Sequence, residues 1–207
     1  GNTNMLSDYA AIKNGSYGKL MKAYYAKQDA EKLSGKGDTS QKLTLMKTSA
    51  DSLKKSADAL NDSSLWEKKK IKKKDEKTGE EIEVEDYDWD KITKAVKSFV
   101  EDYNDVVKEA GESNTKDVLR NASWMTGMTD KNSNMLAKIG ITIGKGNKLE
   151  LDEDALKQAD ISSLKTVFTG YNSFVSKISQ KATGISNAAN RASATYTNNG
   201  TYSKTDS

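Results

Sequence analysis

Apolar residues recur in steps of three and four along three long stretches of this chain, and that spacing predicts helices with a narrow buried stripe. Leu43, Met46, Ala50, Leu53, Ala57 and Leu60 form the cleanest stripe, with only Leu45 off it. So narrow a stripe is a coiled-coil seam rather than the broad face of a globular helix. Asp38-Thr39-Ser40 supplies its capping residues. A second stripe, between Asp90 and Ala110, reads Ile92, Val96, Phe99, Tyr103, Val106 and Ala110. Ala95, Val100 and Val107 lie beside it, so this helix is expected to sit centrally and pack on two neighbours. The closing helix is expected directly after Gly170, with Tyr171, Phe174, Ile178, Ile185 and Ala192 on its seam. Ala188 and Ala189 allow close approach there, while Gly184 costs about 1 kcal/mol against alanine.

Weaker periodicity surrounds these three. Val118, Leu119, Trp124 and Met125 suggest a helix over 116–128, and a short one follows over 133–138. Near the N-terminus, residues 5–12 read as an entry helix broken at Asn14-Gly15. A further helix carries Tyr17, Leu20, Met21 and Tyr24 on one face and stops at the glycines near 35–37.

Two segments have the period of strands instead. Between Trp66 and Trp89 a lysine run is followed at once by a glutamate run. Folded as an antiparallel hairpin over about 68–86, with Glu76-Lys77-Thr78-Gly79 as its loop, it sets Lys70 opposite Glu85, Lys72 opposite Glu83 and Lys74 opposite Glu81. The same register brings Ile71 to Val84 on the other face. Leu65 and Trp66 on one strand, with Tyr87 and Trp89 at the base, would anchor it to the bundle. The second hairpin, over about 141–151, sets Ile141 against Leu151 and Ile143 against Leu149, and Asp152 caps the helix after it.

Composition narrows the chemistry. The 207 residues include no His, Cys or Pro, which excludes thiolate nucleophiles, Ser-His-Asp triads and His or thiolate metal sites. The absence of proline suits long helices. A net charge of +3 from 33 basic and 30 acidic residues argues against nucleic acid as the main partner, and the lysine run reads as a solvated ladder. Mean hydropathy is −0.80, and no apolar run approaches the roughly 18 residues that span a bilayer. The spacing of Asp152, Glu153 and Asp154 is not that of a calcium loop. Gly140, Gly144 and Gly146 are followed by a strand, not by the helix a phosphate loop needs.

Three pieces in fixed order carry a resemblance: Val96-Lys97-Ser98-Phe99-Val100-Glu101-Asp102-Tyr103-Asn104, then Gly140-Ile141-Thr142-Ile143 with Lys148-Leu149-Glu150-Leu151-Asp152, then Val167-Phe168-Thr169-Gly170. Over roughly 82–170 the chain resembles the C-terminal part of the bacterial flagellar cap protein family, hook-associated protein 2. The resemblance implies the helical stem of that family, with a short charged hairpin where the family carries large β-rich outer domains. It also implies an extracellular home on the flagellum, reached without a cleavable signal.

The expectation is therefore a mainly α chain: an elongated antiparallel helical bundle or coiled coil with two small β-hairpins. Residues 1–195 would form one domain with the hairpin inserted at 66–87, and 196–207 a flexible tail. Its function would be non-enzymatic and structural, with no cofactor or metal, no nucleic acid and no membrane insertion. The packing seam (Leu43, Met46, Leu53, Leu60, Ile92, Val96, Phe99, Tyr103, Val106, Phe174, Ile178, Ile185) and the charge ladder (Lys70, Lys72, Lys74, Glu81, Glu83, Glu85) would carry it. Partners would be filament subunits or other copies of the chain, weakly associated in isolation, contacted through the ends of the bundle near Tyr9, Tyr17 and Tyr196. The alternative is a cytoplasmic adaptor or chaperone-like bundle that holds a partner helix.

Overall fold

The computed structural model of the chain describes residues 37–199. The fold is mainly α, with two small antiparallel two-stranded sheets. In chain order the elements are α1 (Ser40–Leu60), β1 (Lys69–Lys74), β2 (Glu81–Asp86), α2 (Trp89–Gly111), α3 (Lys116–Lys131), α4 (Ser133–Ala137), β3 (Ile141–Ile143), β4 (Leu149–Leu151), α5 (Glu153–Gln158), α6 (Ile161–Phe168) and α7 (Phe174–Asn199). The expected helices over 5–12 and 16–34, with Tyr9 and Tyr17, lie outside the described residues. Of Tyr196 only the backbone, in α7, is described.

Local sequence explains most boundaries. Thr39 caps α1 by accepting the Lys42 N–H, Asp88 caps α2 through Lys91, and Asp152 caps α5 through Ala155. Each satisfies a backbone donor that a helix start leaves unpaired. Of α1, the buried residues are Leu43, Met46, Ala50, Leu53, Ala57 and Leu60, while Leu45 is exposed. The face of α2 is wider, with Thr93, Val100 and Val107 buried beside the stripe.

Among the described residues, four long helices form the bundle. α1 packs on α2 and α7, and α3 packs on α2 and α7 from the other side. Side-chain contacts fix their directions. Ser186 donates to Asp51 and Ser179 to Asp58, at 2.6 and 2.8 Å, so a seven-residue step forward on α1 is a seven-residue step back on α7. That is the heptad spacing of an antiparallel coiled coil. Asp38 at the start of α1 meets Ser113 just past the end of α2, and Tyr103 of α2 meets Thr129 of α3 across the connection that joins them. Neighbouring helices are thus antiparallel.

Three expectations need correction. Beside the three expected helices α3 also enters the core, burying Val118, Leu119, Ala122 and Met125; the weak periodicity there reflects small and polar buried residues such as Ser123, Thr126 and Gly127. Tyr171 is not on the seam: it is 84 % exposed in the turn before α7, which starts at Phe174. Leu65 and Trp66 are buried in a 3-10 turn, Ser63–Trp66, ahead of β1 rather than on the strand. α7 runs through Asn199.

Gly184 has a reason to stand in α7. A Cβ there would lie 2.4 Å from the amide oxygen of Asn121 on α3. The contact is with the end of the Asn121 side chain, which lies over α7 at this position.

Candidate interaction surfaces

The twelve residues of the expected seam are all buried: Leu43, Met46, Leu53 and Leu60 from α1, Ile92, Val96, Phe99, Tyr103 and Val106 from α2, and Phe174, Ile178 and Ile185 from α7. They belong to one continuous core. Phe99 is its hub, edge-on to both Phe168 and Phe174 at 6.4 and 6.3 Å between ring centres, a favoured aromatic arrangement. Trp66 stacks on Phe168 at 5.7 Å and donates its indole N–H to the Leu60 carbonyl at 2.7 Å. Tyr103 donates its hydroxyl to Thr129 at 2.8 Å, and burial pushes the pKa of that hydroxyl well above its ordinary value. These side chains hold the chain together internally; as buried groups they are not available to a partner.

Asparagines tie the loops to this core. The amide of Asn104 donates to the Leu149 carbonyl at 3.0 Å and accepts the Leu149 N–H at 2.7 Å, so it pins β4 to α2. Asn61, just past α1, makes the same two-way clamp on Gly170 at 3.2 and 2.9 Å. Asn104 and Gly170 both belong to the motifs that carry the family resemblance, and the structure gives each a physical task. Asp38 is a third clamp: buried, it accepts from the Asn114 N–H at 2.8 Å and from the hydroxyls of Ser113 and Thr115 at 2.8 and 2.5 Å. Sequence reasoning placed Asp38 only among capping candidates. Its partners lie more than seventy residues away and leave no local trace.

The surface groups are of three kinds. The first is the charged hairpin, where β1 and β2 pair Lys70 with Glu85, Lys72 with Glu83 and Lys74 with Glu81, and Ile71 with Val84. All six charged residues of the ladder are exposed. The close ionic contacts, however, are diagonal: Lys72 reaches Glu81 at 3.7 Å, and Lys73 on the other face reaches Asp86 at 2.5 Å. Lysine side chains are long enough to lean along the ribbon rather than straight across it. At the hairpin's base Tyr87 and Trp89 are half-buried and meet edge to face, with the Lys68 ammonium 5.7 Å from the Tyr87 ring.

The second kind is aromatic. Trp124 was grouped with the apolar side of α3, but it is 47 % exposed and lies outside the core. The Lys181 ammonium of α7 sits 4.5 Å from its ring, a cation–π contact. Among the described residues Tyr171 is a second exposed ring. The third kind is a set of shallow, open depressions, one lined by Gln41, Thr44, Leu45, Thr48 and Ser49 and another by Asp90, Thr93, Lys94, Lys97, Glu153 and Lys157. Among the described residues no cluster of His, Cys, Asp or Glu has the geometry to hold a metal ion, and no helix is long and apolar enough to cross a membrane.

Together these features define an antiparallel helical bundle with a packed aromatic core and a charged hairpin at its surface. Residues 113–207 match the family model of the flagellar hook-associated protein 2 C-terminus, and this part of the chain carries that C-terminal domain. No curated protein and no solved structure matches the chain. The matched region starts after the Val96–Asn104 motif and continues past Gly170, so it reaches further toward the C-terminus than the resemblance read from 82–170. It contains α3 to α7 and the β3–β4 hairpin; α2 is joined to it through Asn104. The matched family is one of flagellar structural proteins, and the match supports a cap-type structural role for this part of the chain.

Proposed function

We propose that this chain is a non-enzymatic structural subunit of the flagellum that works by helix packing, as the stem of a filament-cap assembly. The observation that carries the reading is the union of the family match over 113–207 with one continuous buried core. A core closed by Phe99, Phe168, Phe174 and Trp66 makes a rigid body, and a rigid body suits a part that must keep its shape among other subunits. Its partners are filament subunits or further copies of itself, and its place is outside the cell. Residues 1–195 act as one domain, and the seam residues serve by holding its shape while the exposed groups make the contacts.

Disruption of the gene in its own host tests this reading. Electron microscopy should show shortened or missing filaments, with filament subunits lost to the medium, and the intact gene supplied in trans should restore them. Filaments and motility unchanged by the disruption would refute it.

A further inference from the structure

We propose that the β1–β2 hairpin is a head-to-tail docking edge for a second copy of this chain, with the basic strand of one copy pairing with the acidic strand of the next. The first observation is the separation of charge by strand. β1 reads Lys-Lys-Ile-Lys-Lys-Lys and β2 reads Glu-Ile-Glu-Val-Glu-Asp. A ladder meant only to satisfy itself could mix signs on each strand; here one whole edge is cationic and the other anionic.

The second observation is the phase of the hydrogen bonds. The Asp75 backbone N–H donates to the Glu80 carbonyl at 2.8 Å, and hydrogen-bonded pairs alternate along an antiparallel ladder. The inward-bonding pairs are therefore Lys73 with Ile82, Ile71 with Val84 and Lys69 with Asp86. Lys70, Lys72 and Lys74 turn their backbone N–H and C=O groups to the outer edge of β1, and Glu81, Glu83 and Glu85 do so on β2. The six ladder residues thus present an unpaired backbone and a matching charge at the same positions. Their side chains share one face, and the opposite face carries half-buried Ile71 and Val84 with Ile82 40 % exposed. A second hairpin would extend that apolar strip.

The choice of edges follows from like-charge repulsion. β1 against a second β1 sets lysine against lysine, and β2 against a second β2 sets glutamate against glutamate, both unfavourable. Edge lysines ordinarily forbid pairing for this reason. Only β2 against the next copy's β1 aligns opposite signs, and a contact between two different surfaces repeats in a ring or a line rather than closing as a twofold pair. Two strands of six residues bury far less than the roughly 1,200 Å² of a stable interface, so the contact is weak alone and acts where copies are already held side by side. It does not rest on the flagellar reading, and its test uses only the purified chain.

The chain has no cysteine, so Lys72→Cys and Glu83→Cys can be placed in separate preparations and treated with a short bismaleimide. Circular dichroism first checks that each remains folded. A covalent dimer should form when the two are mixed and not in either alone. It should be lost in about 1 M salt, where screening acts within about 3 Å. It should also be lost when Lys70→Pro is added to the Lys72→Cys chain, since proline there removes an outward N–H and leaves the inward ladder whole. Dimer of equal yield in a single preparation, or no dimer in the mixture at high protein concentration, overturns the proposal.

Discussion

Gly140, at the entry to the β3–β4 hairpin, separates two costs that are usually confounded. Its φ of +91° lies in the left-handed region, and its carbonyl accepts the Asp152 N–H at 2.8 Å, which closes the hairpin's base. A Cβ there would stand 2.7 Å from the Asp152 carbonyl oxygen, 2.9 Å from the Leu156 nitrogen and 3.3 Å from the Ala155 Cβ. The two nearest atoms are backbone and cannot rotate away. Gly146, in the same hairpin, has φ +70° with nothing within 4 Å of its built Cβ. Gly146→Ala therefore meets only the conformational penalty, about 1–2 kcal/mol for a residue other than glycine. Gly140→Ala adds a forced backbone shift, about 1–3 kcal/mol by comparison with overpacked cores. The gain from stiffening the unfolded chain is the same for both and cancels. Urea denaturation followed by helical ellipticity should thus show Gly140→Ala less stable than Gly146→Ala by about 1–3 kcal/mol, with equal slopes. Equal midpoints for the two variants would show that the contact with Asp152 and Leu156 does not constrain the hairpin.

Two further outcomes follow from buried groups. Tyr103→Phe should cost about 1 kcal/mol, because the Thr129 hydroxyl keeps its bond to the Met125 carbonyl, whereas Thr129→Val should cost about 1–3 kcal/mol by stranding the Tyr103 hydroxyl in the core; the reverse order in thermal melts would contradict the assigned bond. Burial, with Asp105 and Glu101 nearby, holds the Asp102 carboxyl above its ordinary value, although a bond from Ser56 pulls the other way. A raised folded value means that this group favours folding at low pH and loses that contribution as pH rises through the folded value. Asp102→Asn should therefore be more stable than the parent at neutral pH, with the difference shrinking as pH falls toward the ordinary value of 3.8; a difference that grows on acidification would reverse the assignment.

The spacing of Leu43 to Leu60 was enough to name every buried residue of α1, because a narrow seam leaves one way to bury an apolar stripe. The register of the charged hairpin was equally legible, since a slip of one residue would carry Ile71 and Val84 to the lysine face. The hairpin of Ile141 and Leu151 was readable for the same reason, and the order of short motifs was enough for the family. Tertiary structure alone decided the rest. α3 enters the core through Val118, Leu119, Ala122 and Met125 and buries Ser123, Thr126 and Gly127 beside them, and burial of the latter depends on how closely the neighbouring helices approach and not on their own polarity. Trp124 is apolar yet faces solvent beside Lys181, and Tyr171 falls in a turn because α7 begins at Phe174. The clamps of Asp38 on residues 113–115, Asn61 on Gly170 and Asn104 on Leu149 join positions 45 to 109 residues apart. A polar side chain in a sequence shows what it could bond, but only the folded chain brings it to the backbone group it does bond.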